Sequence, residues 1–101
     1  MNNAGIAGVI GPIEWCSVQD YKDVAAINTY GVIDVSMTFL TLVKLARGRI
    51  VNTASVFGRY CLQPCTPYCV SKYGVEAFTD GLRYACLCEY TRCSRGFRHY
   101  W

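Results

Sequence analysis

The chain has 101 residues, 52% of them hydrophobic and 17% charged, with a net charge of +3. This balance excludes a disordered polyelectrolyte, and the mild positive charge argues for no polyanionic partner, nucleic acid included. The first sixteen residues carry no lysine or arginine, and no apolar run reaches the roughly 18 residues of a membrane span, so neither a signal peptide nor a spanning segment is expected.

Residues 2–12 contain Gly5, Gly8 and Gly11 at a spacing of G-x-x-G-x-x-G. A dinucleotide-binding turn needs G-x-G-x-x-G between a strand and a helix, and here Pro12 stands where the helix should open, so a flexible loop is expected. Ser17-Val18-Gln19-Asp20 has the form of a capping box, with Asp in place of Glu, and opens a helical pattern that runs to about Ala46 and is closed by Gly48. Tyr21, Val24, Asn28, Val32, Val35, Phe39 and Leu42 recur at steps of three and four, which predicts one inward stripe. Asn28 lies within that stripe, and a buried amide is costly unless it is paired, so a structural hydrogen bond is its simplest role. Gly31 weakens the helix one turn on and admits a close backbone, so a kink is expected there.

Arg49–Ala54 is short, β-branched at Ile50, Val51 and Thr53, and bounded by glycine and a loop, which predicts a buried parallel strand. Ser55 falls at its C-terminal end, where ligands bind in open α/β sheets, although a serine there also caps loops. The loop from Val56 to Pro67 carries Phe57, Tyr60 and Leu62, a wall suited to a greasy substrate or simply a packed loop. Thr66 as N-cap and Pro67 as first helical residue predict a second helix to about Cys88, with Val70, Val75, Phe78 and Leu82 as apolar positions and Ala77 and Gly81 as small ones. In its first turn Tyr68 is four residues before Lys72, so phenol and ammonium share a face. Such a pair is ordinarily an exposed helix surface; chemically, a nearby cation and the positive helix end favour an ionised phenol that can exchange a proton with an alcohol.

Cys16, Cys61, Cys65, Cys69, Cys86, Cys88 and Cys93 are odd in number and form no pair of C-x-x-C knuckles, so reduced thiols packed as small hydrophobes are expected, with no metal. A metal- or disulfide-stabilised cysteine module is the rival, separable by a thiol count. Arg92, Arg95 and Arg98 give the tail a basic character, but three arginines are too few to outweigh a solvated terminus.

Asn2-Asn3-Ala4-Gly5, Asn28-x-x-Gly31, the run Gly48–Ser55 and Tyr68-Cys69-Val70-Ser71-Lys72 stand together in an order that resembles the short-chain dehydrogenase/reductase family. The wording around Val43–Asn52 and Tyr68–Phe78 is similar to its retinol and hydroxysteroid dehydrogenase branch. The resemblance covers residues 2–83, the middle of a domain more than twice this long, and leaves 84–101 as a divergent tail without the family's next strand ending in Pro-Gly. It implies an α/β fold, part of a Rossmann-type doubly wound parallel sheet, with the first strands and glycine-rich loop missing. It implies hydride transfer between NAD or NADP and a lipophilic alcohol or carbonyl, retinoid or steroid first. Tyr68 would be general acid or base, and Ser55 would steady the substrate oxygen. Lys72 would favour the ionised phenol and hold the nicotinamide ribose. Asn28 would kink its helix and free a carbonyl for a water on the lysine. Asn3, Ala4 and Gly5 would approach the cofactor's adenosine half. The relatives commonly carry a glycine run where this chain has Pro64-Cys65-Thr66-Pro67. The resemblance further implies a homodimer through the two long helices, and an intracellular location at the endoplasmic reticulum membrane, attached through segments not among these residues, or otherwise in the cytoplasm. The rival function is a non-catalytic truncated or spliced product that associates with a full-length relative.

Overall fold

The computed structural model describes residues 1–85 in full and the backbone of 86–87 and 92–96. Helix α1 spans Val18–Ala25, and its N-terminus shows the predicted box: the Ser17 hydroxyl accepts from the Asp20 amide while the Asp20 carboxylate accepts from the Ser17 amide. The chain then widens into a π turn at Ala26–Tyr30, where the Gly31 amide bonds the Ala26 carbonyl five residues back, before helix α2 at Gly31–Leu45. The expected distortion is this wide turn. Among the described residues no foreign backbone approaches Gly31, whose absent Cβ would meet only Ala26 O at 3.6 Å.

The wide turn also resets the stripe. Val24, Asn28, Val32 and Ser36 are buried at even steps of four, whereas Val35, Phe39 and Leu42 are exposed. A step of four overshoots an α-helical turn by about 40°, and a wider turn absorbs part of that drift, so the buried line continues through Ser36 rather than Val35. Helix α2 closes in a Schellman motif, with the Gly48 amide on Val43 O at 2.8 Å and the Arg47 amide on Lys44 O at 3.0 Å. The left-handed residue is Arg47, at φ 49°, and Gly48 follows it to close the helix as expected. The continuous helix Val18–Leu45 has 28 residues and contains an 18-residue window of mean hydropathy 1.3, long and apolar enough to cross a membrane, although charged residues break its apolar run and no spanning segment was expected from the sequence. Core helices share that property when mostly buried, whereas 17% of that window is buried here.

Strand β1, Arg49–Thr53, lies parallel to β2, Arg92–Gly96, in the register Arg49↔Arg92 to Thr53↔Gly96. The tail was expected to contribute no strand; Arg-Cys-Ser-Arg-Gly lacks the β-branched apolar signature, so its pairing is imposed by the sheet edge rather than by propensity. Asn2 also joins β1, donating to Val51 O at 2.8 Å and accepting from the Thr53 amide at 2.9 Å. Both connections along this sheet are parallel crossovers, which need an intervening helix. Helix α3, Thr66–Leu87, supplies the second one and packs against α1, the π turn and β2. It begins one residue before the predicted start because a 3-10 turn, Gln63–Cys65, runs straight into it. Thr66 is itself helical, and its hydroxyl donates to Gln63 O at 2.9 Å instead of capping. Cys88, the predicted end, lies outside the described residues, as do Tyr84–Trp101 apart from the parts named. Val32, Ala54 and Val75 form the core cluster with Phe78 against it, and Leu82 is buried, while Val70 faces outward. Cys69 is packed as a small hydrophobe, but Cys61 is exposed and Cys16 and Cys65 are only half-buried, all four as free thiols.

Candidate active site

Three elements meet at the C-terminal end of β1. Helix α3 brings Tyr68 and Lys72 on one face, as the spacing requires; the Lys72 ammonium lies 5.6 Å from the centre of the Tyr68 ring. Phe57, two residues beyond Ser55, packs edge-on to the same ring at 6.1 Å. Ser55 itself stands at the strand end, its hydroxyl accepting from the Phe57 amide at 3.2 Å, so it caps the turn Val56–Gly58 while sharing a short segment with a ring that touches Tyr68. Lys72 is 4% exposed and donates to the Thr53 carbonyl at 3.0 Å. Burial penalises its charged form and holds the ammonium below the ordinary lysine range.

Asn28 is fully buried, and each of its amide atoms is used. Its Oδ1 accepts from the Ile6 amide at 2.8 Å, and its Nδ2 donates to Ile6 O at 2.8 Å and to Ser71 Oγ at 2.9 Å. The loop 2–12 is therefore anchored rather than flexible, with a second tie from the Gly11 amide to Pro64 O at 2.7 Å. Its glycines sit in close quarters, Gly8 most of all. Gly8, at φ 74°, would drive a Cβ to 2.3 Å from the Val24 Cγ2. A Cβ on Gly5 would stand 3.2 Å from Asn28 Oδ1 and 3.7 Å from Lys72 Nζ, which places Asn28, Lys72 and the Gly5 backbone around one exposed spot. Asn3 and Ala4 are exposed beside it.

Several site-building residues were invisible in the spacing. Ser71 donates to Tyr68 O at 2.7 Å while accepting from Asn28, so it links the loop, the π turn and the tyrosine's own turn. Thr29 donates to Ser71 O at 2.8 Å. The available clue was that Ser71, three residues after Tyr68 on a helix, can bond back to its carbonyl. Arg59 grips the buried Glu76 through Nη2 at 2.9 Å and Nε at 3.2 Å, pinning the loop after β1 to α3. Below, Asn2 donates to Ser36 and Asn52, and Asn52 donates to Thr79, a polar layer that no sequence periodicity marks.

Lys72 keeps donors for a ligand that carries hydrogen-bond acceptors. Only one of the three ammonium protons of Lys72 is accounted for by Thr53 O, and the position beside it is left open by the missing Gly5 side chain.

The profile of the short chain dehydrogenase family matches residues 1–88. Mouse (Mus musculus) retinol dehydrogenase 5 is 49% identical over 83 residues, covering 82% of this chain and 26% of that protein. The bovine (Bos taurus) mitochondrial D-beta-hydroxybutyrate dehydrogenase is 46% identical over 84 residues, 83% of this chain and 24% of that one. Among solved structures, a short-chain dehydrogenase/reductase from Burkholderia phymatum in complex with NAD superposes with a TM-score of 0.83 at 28% identity, over 95% of this chain and 34% of that one. The chain thus spans about a quarter of the length of the curated relatives it matches.

Proposed function

This chain belongs to the short-chain dehydrogenase family, and on that premise we propose that it carries the proton-transfer half of an NAD- or NADP-dependent oxidoreductase acting on a lipophilic alcohol or carbonyl, retinoid or steroid in class. The observation that supports this most is the placement of Lys72, a nearly buried cation bonded to the last carbonyl of a parallel strand and set against the Tyr68 ring. In this reading the Tyr68 phenol passes a proton to or from the substrate oxygen as general acid or base. Ser55 steadies that oxygen with its hydroxyl. Lys72 uses its remaining protons on the ribose hydroxyls and supplies positive charge beside the phenol. The wide turn at Asn28 completes the relay through its backbone, since a π turn takes carbonyls out of the regular ladder. The bound nicotinamide supplies the hydride donor or acceptor. Asn3, Ala4 and Gly5 present backbone and small side chains to its adenosine half.

The substrate class rests on the loop after β1, where Val56, Tyr60 and Leu62 are exposed and Phe57 packs on the tyrosine. An apolar wall of this kind suits a hydrocarbon skeleton better than a small hydroxy acid. Residues 1–83 are taken as the middle of the catalytic domain, homodimeric through α1–α2 and α3, with exposed Ala77 and Gly81 allowing close helix approach. The location that accompanies this reading is intracellular, at the endoplasmic reticulum membrane. A chimera tests the assignment: residues 1–83 replace the matching segment of the mouse retinol dehydrogenase, and alcohol-dependent reduction of NAD or NADP is followed with retinol, a steroid alcohol and 3-hydroxybutyrate. Turnover of the lipophilic alcohols supports the proposal; turnover of 3-hydroxybutyrate alone overturns the substrate class, and a folded chimera with no turnover overturns the site.

A further inference from the structure

Three thiols that the catalytic reading leaves unused surround the turn that carries Tyr68. Cys65 Sγ and Cys69 Sγ lie 3.9 Å apart, and both are directed at one acceptor, the Leu62 carbonyl, at 3.5 Å and 3.9 Å. Cys65 ends an exposed 3-10 turn and is half-buried, whereas Cys69 sits in the first turns of α3 and is 1% exposed. One sulfur is thus reachable from solvent and the other waits behind it. We propose that Cys65 and Cys69 form a thiol–disulfide exchange site, in which Cys65 takes up a small-molecule disulfide and Cys69 resolves it to a Cys65–Cys69 bond across the turn that holds Tyr68.

The step balances without further reagents. The Cys65 thiolate attacks one sulfur of a disulfide such as oxidised glutathione, forming a mixed disulfide and expelling one glutathione thiolate. The Cys69 sulfur then attacks Cys65, the protein S–S bond forms, and the second glutathione leaves. The two protons lost by the protein thiols pass to the leaving thiolates, and the two electrons reduce the S–S bond of glutathione disulfide to two thiols. Bond formation brings the sulfurs from 3.9 Å to about 2 Å, a closure that falls on the exposed Gln63–Cys65 turn at the start of α3. Cys61 completes the cluster but suits the role less. Desolvation and the adjacent Cys69 thiol push its own thiol up, which lowers its thiolate fraction, and no bond directs it at the Leu62 carbonyl that Cys65 and Cys69 share.

The test uses the purified 101-residue chain, reduced and then equilibrated with graded ratios of oxidised to reduced glutathione, alkylated and digested with trypsin. All three cysteines fall in the peptide Tyr60–Lys72, so fragmentation between Cys61 and Cys65 assigns the bond. The expected result is a two-dalton loss with Cys61 alkylated, favouring Cys65–Cys69 over either Cys61 pairing by at least about tenfold in the native chain and losing that preference in urea. Cys61→Ser should leave the half-oxidation ratio within about twofold, and Cys65→Ser should abolish the native preference. Statistical pairing under native conditions, a Cys61–Cys69 bond, or a glutathione adduct on Cys65 that never resolves would each overturn the proposal.

Discussion

Burying the Lys72 ammonium costs free energy that one bond to the Thr53 carbonyl offsets only in part, and the cost has a pH signature. Below its lowered value Lys72 is protonated in both the folded and unfolded chain. Between that value and the ordinary 10.5 the unfolded chain binds more protons, so this group makes stability rise with pH. In the chimeric enzyme, Lys72→Met should flatten that rise, read as urea midpoints measured through the window; an unchanged slope would show that the ammonium is not buried. The Tyr68–Lys72 pair could be read from its spacing alone, because i,i+4 fixes a shared helix face whatever the tertiary fold. The partners of Asn28 could not. Its burial was predictable from the stripe, but its bonds reach Ile6 and Ser71, 22 and 43 residues away in sequence, and no local pattern encodes such separations.

Helix ends divide in the same way. The Ser17–Asp20 box was legible because both partners lie within one turn, and Ser17→Ala should cost about 1 kcal/mol in chemical denaturation. The Ser17 bonds hold the Asp20 carboxyl below its ordinary 3.8, so its contribution is present above that value and fades as pH falls through the lowered one. The difference between wild type and variant should narrow in acid. At the other end of the long helix Gly48 closes it as the sequence indicates, through its amide on Val43 O. Glycine at 48 is the common signal for a left-handed cap, but the Schellman bonds place Arg47 at positive φ, a strained conformation for any residue with a Cβ. Arg47→Gly should therefore stabilise the chimera by about 0.5–1 kcal/mol; a loss of stability would contradict the motif. The stripe beyond the π turn was misplaced because periodicity assumes a constant helical pitch, and the wide turn changes the phase. The second strand escaped notice because its residues carry no strand signature.

Across the whole molecule, the described residues set the Tyr68–Lys72 pair beside a small parallel sheet, while Val35, Met37, Phe39, Leu42 and Leu45 remain exposed along α2. An apolar surface of this extent favours association, and nothing in the 101 residues has the G-x-G-x-x-G spacing that cradles a pyrophosphate. The isolated chain should accordingly show no saturable NADH or NADPH binding at micromolar concentration and no cofactor-dependent rise in melting temperature; either one would contradict this. The chemistry itself is tested most directly by Tyr68→Phe in the chimera, which keeps the ring that Phe57 and Lys72 contact and deletes only the hydroxyl. The account predicts a fall in kcat of at least about a hundredfold, or 2.7 kcal/mol in the barrier, with the cofactor KM nearly unchanged. Retention of more than about a tenth of the wild-type kcat would contradict it.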